Sequence, residues 1–164
     1  MADHAPWTRD KALAIVESYR GQRGSLLPIL HDLQHEFGFI DDQAVPLLAN
    51  ALNLSRAEVH GVISFYHDFK REPQGRTVVK VCRAEACQAV GADRLVEHAA
   101  RRLGVPLGGT RADGAVTLEG VFCLGNCALG PTVMIDDHLH GRVDANRFDA
   151  LAAPLAAQVS GDAR

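Results

Sequence analysis

All four cysteines of this chain stand in two tight pairs, Cys82-Arg-Ala-Glu-Ala-Cys87 and Cys123-Leu-Gly-Asn-Cys127. A C-x4-C and a C-x3-C pair with 35 residues between them offer four sulfurs to one inorganic centre, so the fold must bring two distant segments together. Thiolate is the soft, anionic ligand that iron–sulfur clusters and structural zinc select. Zinc sites usually draw on C-x2-C knuckles, and these looser loops favour iron–sulfur while leaving zinc open. A thioredoxin-type dithiol wants C-x-x-C, which neither pair has, so redox thiols or disulfides form the third reading. The plant-type ferredoxin run C-x4-C-x2-C also differs, because it puts three ligands in a single loop.

Composition narrows the setting of that centre. Across 164 residues the chain is 47% apolar and 23% charged, as expected of a globular protein with an ordinary core. A net charge of −3 predicts neither nucleic-acid nor anionic-membrane binding. No stretch approaches the ~20 apolar residues of a transmembrane helix. Met-Ala-Asp-His-Ala-Pro-Trp at the start lacks the basic and apolar regions of a signal peptide. A reducing cytoplasmic location is therefore expected, where paired cysteines read as metal ligands or catalytic thiols before disulfides.

The pattern of the chain changes once. Residues 9–69 read as helical: Ala12, Ile15, Val16 and Tyr19 share one face, and Gly21 and Gly24 break it. Ser25 is the expected cap of a second helix, ending at Gly38, and Asp41 or Asp42 of a third. Ser55-Arg-Ala-Glu58 matches a capping box for a fourth helix running toward Phe65. Pro73 and Gly75 suit a turn. Thr77–Val81 then forms a β-branched run delivering Cys82, and Ala92, Leu95, Val96, Ala99 and Leu103 predict an amphipathic helix ended by Gly104. Val116–Val121 and Thr132–Asp136 read as strands, with a turn at Asp137-His138 and a short partner from Leu139 to Val143. Asn146 is the expected cap of a last helix, with Pro154 weakening its end. The fold class predicted is α+β: an N-terminal helical bundle (1–72), then an α/β domain with about four strands (73–164).

Each cysteine pair is expected in a Gly- or Ala-rich loop after a strand, where backbone N–H groups approach a cluster closely. An oxidised two-iron, two-sulfide centre on four thiolates carries about two negative charges, and one more when reduced. Donors are needed, and the loop amides and Arg83 are the candidates. Glu85 and Asp93 read as a solvated acidic surface. Among the eight histidines, a ligand role is not expected with four thiolates at hand. His31, His35, His60 and His67 read as helix-surface or packing residues, with a partner contact of His60 or His67 as the alternative. Phe65, Tyr66 and Phe69 read first as core packing and second as a subunit interface. Neither G-x-G-x-x-G nor a Walker pattern occurs, so no nucleotide or flavin site is expected on this chain.

Val81-Cys-Arg-Ala-Glu-Ala-Cys87 and Gly120-Val-Phe-Cys-Leu-Gly-Asn-Cys-Ala-Leu-Gly-Pro131 resemble the thioredoxin-like [2Fe–2S] ferredoxin family. So do Leu26-Leu-Pro-Ile-Leu-His-Asp-Leu-Gln-His-Glu-Phe-Gly38 and Val59-His-Gly-Val-Ile-Ser-Phe-Tyr-His-Asp-Phe69. That family includes the small [2Fe–2S] subunit of complex I and its relatives in NAD-linked hydrogenases and formate dehydrogenases. The Arg-Ala-Glu-Ala filling followed by Gln88 is most similar to the gamma subunit of soluble NAD-dependent formate dehydrogenase. The resemblance implies a thioredoxin-like α/β domain and a [2Fe–2S] cluster ligated by Cys82, Cys87, Cys123 and Cys127. It implies a partner flavoprotein subunit carrying FMN, a [4Fe–4S] cluster and the NAD site, and a larger molybdenum- or tungsten-containing catalytic subunit. It also implies a cis bond at Pro131 ahead of its strand. The reading of another class is a zinc-stabilised interaction module without redox function.

Overall fold

The computed structural model describes residues 4–157. The chain divides between Pro73 and Gln74 into two compact units. In the first, α1 (Arg9–Ser18), α2 (Leu26–Phe37), α3 (Ala44–Leu52) and α4 (Arg56–Phe65) bury one apolar cluster. Ile29, Leu30, Leu33 and Phe37 recur at helical spacing on α2 and meet Leu48 of α3 and Val59 of α4 in that cluster. Gly38 ends α2 in the left-handed conformation that a Cβ disfavours, its N–H donating to Gln34 O at 2.7 Å. The Gln34 amide donates to Asp68 O and accepts from Lys70 N, both at 2.7 Å, which ties the chain beyond α4 to α2.

The start signals behave unevenly. Ser55 and Glu58 form both arms of the capping box: Ser55 N donates to Glu58 Oε2 at 2.8 Å, and Glu58 N to Ser55 Oγ at 3.1 Å. Ser25 does not cap α2, because it already has helical φ and ψ and its side chain makes no cap bond. Asp41 caps the turn entering α3, accepting from Gln43 N at 2.8 Å, while the Asp42 carboxylate pairs with Arg71.

The second unit runs β1 (Thr77–Cys82), α5 (Glu85–Ala89), α6 (Ala92–Leu103), β2 (Val116–Val121), β3 (Val133–Ile135), β4 (His138–His140) and α7 (Ala145–Ala157). Strand order is β2-β1-β3-β4. β1 and β2 are parallel, in register from Thr77↔Val116 to Cys82↔Val121. The other pairings are antiparallel. Parallel neighbours need a crossover connection, which α6 supplies. Val79, Val81, Val116, Leu118 and Val133 of the sheet share one core with Leu95 and Ala99 of α6 and Phe148 and Ala152 of α7. His98 of α6 meets Asp149 of α7 at 2.9 Å.

Two local expectations give way. The β3–β4 turn is at Asp136-Asp137, with Asp136 at φ 50°, so His138 opens the strand and does not turn into it. Asp144, two residues before Asn146, caps α7 by accepting from Arg147 N at 2.8 Å. Pro154 lies inside α7 without ending it. Among the described residues, no helix is long and apolar enough to cross a membrane.

Candidate metal centre

Because β1 and β2 run parallel and in register, the chain leaves both strands at the same end of the sheet. Cys82 closes β1 opposite Val121, and Cys123 follows two residues beyond that partner. Arg83 N donates to Val121 O at 2.7 Å and Cys82 N to Thr132 O at 3.0 Å, which fixes the two departing segments side by side. This register, and no local motif, is what brings the distant pairs together.

The first pair is more structured than a loop. Cys82 belongs to the strand and Cys87 to the short helix α5, and both are buried. The second pair is exposed. Cys123 holds φ 90° and Gly125 φ 76°, which curls the segment so that Cys123 and Cys127 Sγ lie 3.6 Å apart. Gly125 N donates to Cys123 Sγ at 3.4 Å. Cys127 then opens a 3-10 turn ending at Leu129. The Gly130–Pro131 bond is cis, as the resemblance implies. Backbone passes close by: a Cβ at Gly130 would stand 3.4 Å from Cys87 Sγ.

The electrostatics of the thiols report the same convergence. Burial pushes the Cys82 thiol up, but the N–H of Ala84, the Cys87 thiol and the N–H groups of Cys123 and Leu124 together bring it below its ordinary value. Cys82 is thus solvated by amides of both segments, the donor arrangement a thiolate ligand requires. Cys87 is raised by burial and by Cys82, against an opposing N–H of Thr132. Cys127 is raised first by its bond with Cys123, and also by the nearby charges of Cys87 and Cys82. The four sulfurs therefore form two pairs in mutual electrostatic contact. Among the described residues no three His, Cys, Asp or Glu side chains gather closely enough to share a single metal ion.

Arg83, the side-chain donor candidate, follows Cys82 directly in the chain. Its Nε is buried with no acceptor among the described residues, and its Nη2 is 3.8 Å from Asp93 Oδ1. Glu85 is exposed, as a solvated acid should be. In the second unit Val90, Phe122, Leu129 and Leu139 present exposed apolar side chains, Phe122 at 79%. Nothing in the sequence pattern singles out these four, although Phe122 and Leu129 stand directly in the second motif.

In the helical unit, core packing holds only for Phe69, which is buried and meets the His31 ring at a tilt of 58°, with 5.0 Å between ring centroids. Phe65 is 72% exposed and Tyr66 43%, because α4 ends there and turns both rings outward. With Leu26, Leu54, Glu58, Gly61 and Val62 they line an open groove of about 540 Å³. His60 lies among Ser64 and Arg71, with Ser64 Oγ 3.2 Å from Nδ1 and Arg71 Nη1 3.3 Å from Nε2.

Known proteins share this sequence over most of its length. The family model for thioredoxin-like [2Fe–2S] ferredoxins matches residues 12–156. The NADH-quinone oxidoreductase E subunit of Pseudomonas aeruginosa is 38% identical over 141 residues, covering 86% of this chain and 83% of that protein. NADP-reducing hydrogenase subunit HndA of Solidesulfovibrio fructosivorans is 30% identical over 143 residues, covering 87% and 84%. Among solved structures, a chain of the air-oxidised NAD+-reducing [NiFe]-hydrogenase aligns with a TM-score of 0.69 at 28% identity. That alignment covers 84% of this chain but 24% of the hydrogenase chain. With a family match that runs through both units, the chain belongs to the thioredoxin-like [2Fe–2S] ferredoxins.

Proposed function

We propose that this chain is a one-electron transfer subunit whose [2Fe–2S] cluster is ligated by Cys82, Cys87, Cys123 and Cys127. The observation that carries the assignment is the pairing of these four thiols at one end of the sheet, with amides of both segments on Cys82. When bound, such a cluster accepts and donates single electrons, whereas NAD exchanges two as hydride, so a flavin on another subunit must split or pair them. The chain's own residues hold the site: the N–H groups of Ala84, Cys123 and Leu124 stabilise the Cys82 thiolate, and Gly125 N–H that of Cys123. The partner is a flavoprotein subunit with FMN, [4Fe–4S] and NAD, and the helical unit is the docking surface.

The host we assign is a cytoplasmic NAD-dependent formate dehydrogenase, with this chain as gamma subunit beside a molybdenum or tungsten subunit. Its support is the Arg83–Ala86 filling between the first ligands, followed by Gln88. A second host has its own support: the 38% identity to the NADH-quinone oxidoreductase relative from Pseudomonas aeruginosa. Purified protein should be coloured and contain about two irons and two acid-labile sulfides per chain. Colourless protein containing zinc would overturn the electron-carrier reading, and Cys123→Ala at full cluster content would remove that ligand. Native co-purification decides the host. A formate-oxidising partner supports our assignment, while a nickel-containing or quinone-reducing partner reverses it.

A further inference from the structure

We propose that Arg83 and Asp93 form a charge pair that sets the reduction potential of the cluster, an inference that rests on the ligand assignment above. Each member is anchored beside a ligand of the first pair. Arg83 follows Cys82 directly, and its backbone N–H is fixed to Val121 O at 2.7 Å, between the two cysteine segments. Its side chain crosses β2 at Gly120, where a Cβ would come within 3.1 Å of Arg83 Cδ, so β2 gives the stem room by having no side chain there. Asp93 Oδ2 accepts from Gln88 Nε2 at 3.1 Å, and Gln88 follows Cys87. The guanidinium is thereby held between strand and helix, while its link to Asp93 stays loose at 3.8 Å.

That looseness matters. Arg83 keeps a buried Nε–H that no described residue accepts, and its charge is only partly offset by an acid whose side chain is 52% exposed. Reduction adds one electron to a centre that is already anionic. A neighbouring cation favours the reduced form and a neighbouring acid opposes it. The two side chains therefore act in opposite directions on one equilibrium. Arg83 raises the potential, and Asp93 damps its effect.

Redox titration of the full chain, followed by electron paramagnetic resonance of the reduced cluster, tests this. Asp93→Asn should raise the midpoint and Arg83→Gln should lower it. Each shift should be about tenfold in the reduction equilibrium, ~59 mV for one electron. The double variant should return close to wild type. Loosening of the fold alone would move both single variants in the same direction. Arg83→Lys and Asp93→Glu, which keep the charges, should remain near wild type, and raised ionic strength should shrink the differences. Unchanged midpoints, or both moving together, overturn the proposal while leaving the ligands intact. Wild-type protein without a [2Fe–2S] signal would instead remove the ligand reading itself. If a neutral variant does not load, Arg83→Met or Asp93→Ser must show the same sign. Loss of cluster in both neutral forms at a position overturns the proposal in favour of a purely structural clamp.

Discussion

At Cys123 the backbone sits at φ 90°, where a Cβ is crowded, a conformation costing about 1–3 kcal/mol for a residue other than glycine. The curl it produces sets Cys123 and Cys127 Sγ 3.6 Å apart and lets Gly125 N–H reach the first sulfur. Gly141 holds that curl from outside. A Cβ there would meet Asn126 Nδ2 and Leu129 Cβ at 2.8 Å and Leu129 O at 2.9 Å, and the carbonyl belongs to backbone that cannot swing aside. Arg142 N also donates to Leu129 O at 2.6 Å, locking the two segments together. Gly141→Ala should therefore displace the second ligand segment. We expect lower iron and sulfide content on purification and a loss of about 1–3 kcal/mol in urea unfolding. Full cluster content at wild-type stability would show that the segment accommodates the methyl. The paired spacing of the cysteines is visible in the sequence itself. The constraint at Gly141 is not, because it comes from residues more than ten positions earlier.

The helices divide by how local their signals are. Ser55 and Glu58 satisfy each other three residues apart, and Gly38 and Gly104 end their helices in left-handed conformation, so these bounds could be read directly. Helix α5 could not. Its N-cap is Ala84, with no capping side chain, and its five residues are held by the strand before and the helix after. At α7 two Asx residues compete, and only the packing of Phe148 in the sheet core selects Asp144. Two outcomes on α4 follow from its capping box and its open face. The Ser55 N–H, then its hydroxyl, hold the Glu58 carboxyl below its ordinary value. The stabilisation is thus fully present above the unfolded-state value and lost as pH falls through the folded one. Acid titration by circular dichroism should show helix loss in wild type that is flattened in Glu58→Gln, a residue that keeps the box bond without titrating there. Parallel titrations would rule the box out as an acid-sensitive element. Gly61 lies inside α4, and a Cβ there would meet nothing within 4 Å. Gly61→Ala should therefore be tolerated, with a gain of about 1 kcal/mol in urea unfolding.

At the scale of the molecule, the question is whether the two units divide the work. Every cysteine and every described strand lies beyond Gln74, and the buried cluster beneath the sheet draws no described residue from the helical unit. Val90, Phe122, Leu129 and Leu139 expose apolar side chains on the second unit. The outward rings of Phe65 and Tyr66 and their groove belong to the helical unit. Sequence periodicity marks a change of pattern near Pro73, where a 3.6-residue repeat gives way to β-branched runs. It could not reveal the parallel register that joins Cys82 to Cys123, because strand order depends on contacts across the whole second unit. A fragment from Gln74 to Arg164 therefore provides a direct test of the division. It should fold, load a cluster and keep the absorption spectrum and midpoint of the full chain. It should bind the flavoprotein subunit at least tenfold more weakly, because the proposed docking surface is gone. A colourless fragment would mean that the helical unit stabilises the cluster domain. Undiminished partner binding would transfer the docking role to the exposed apolar side chains of the second unit.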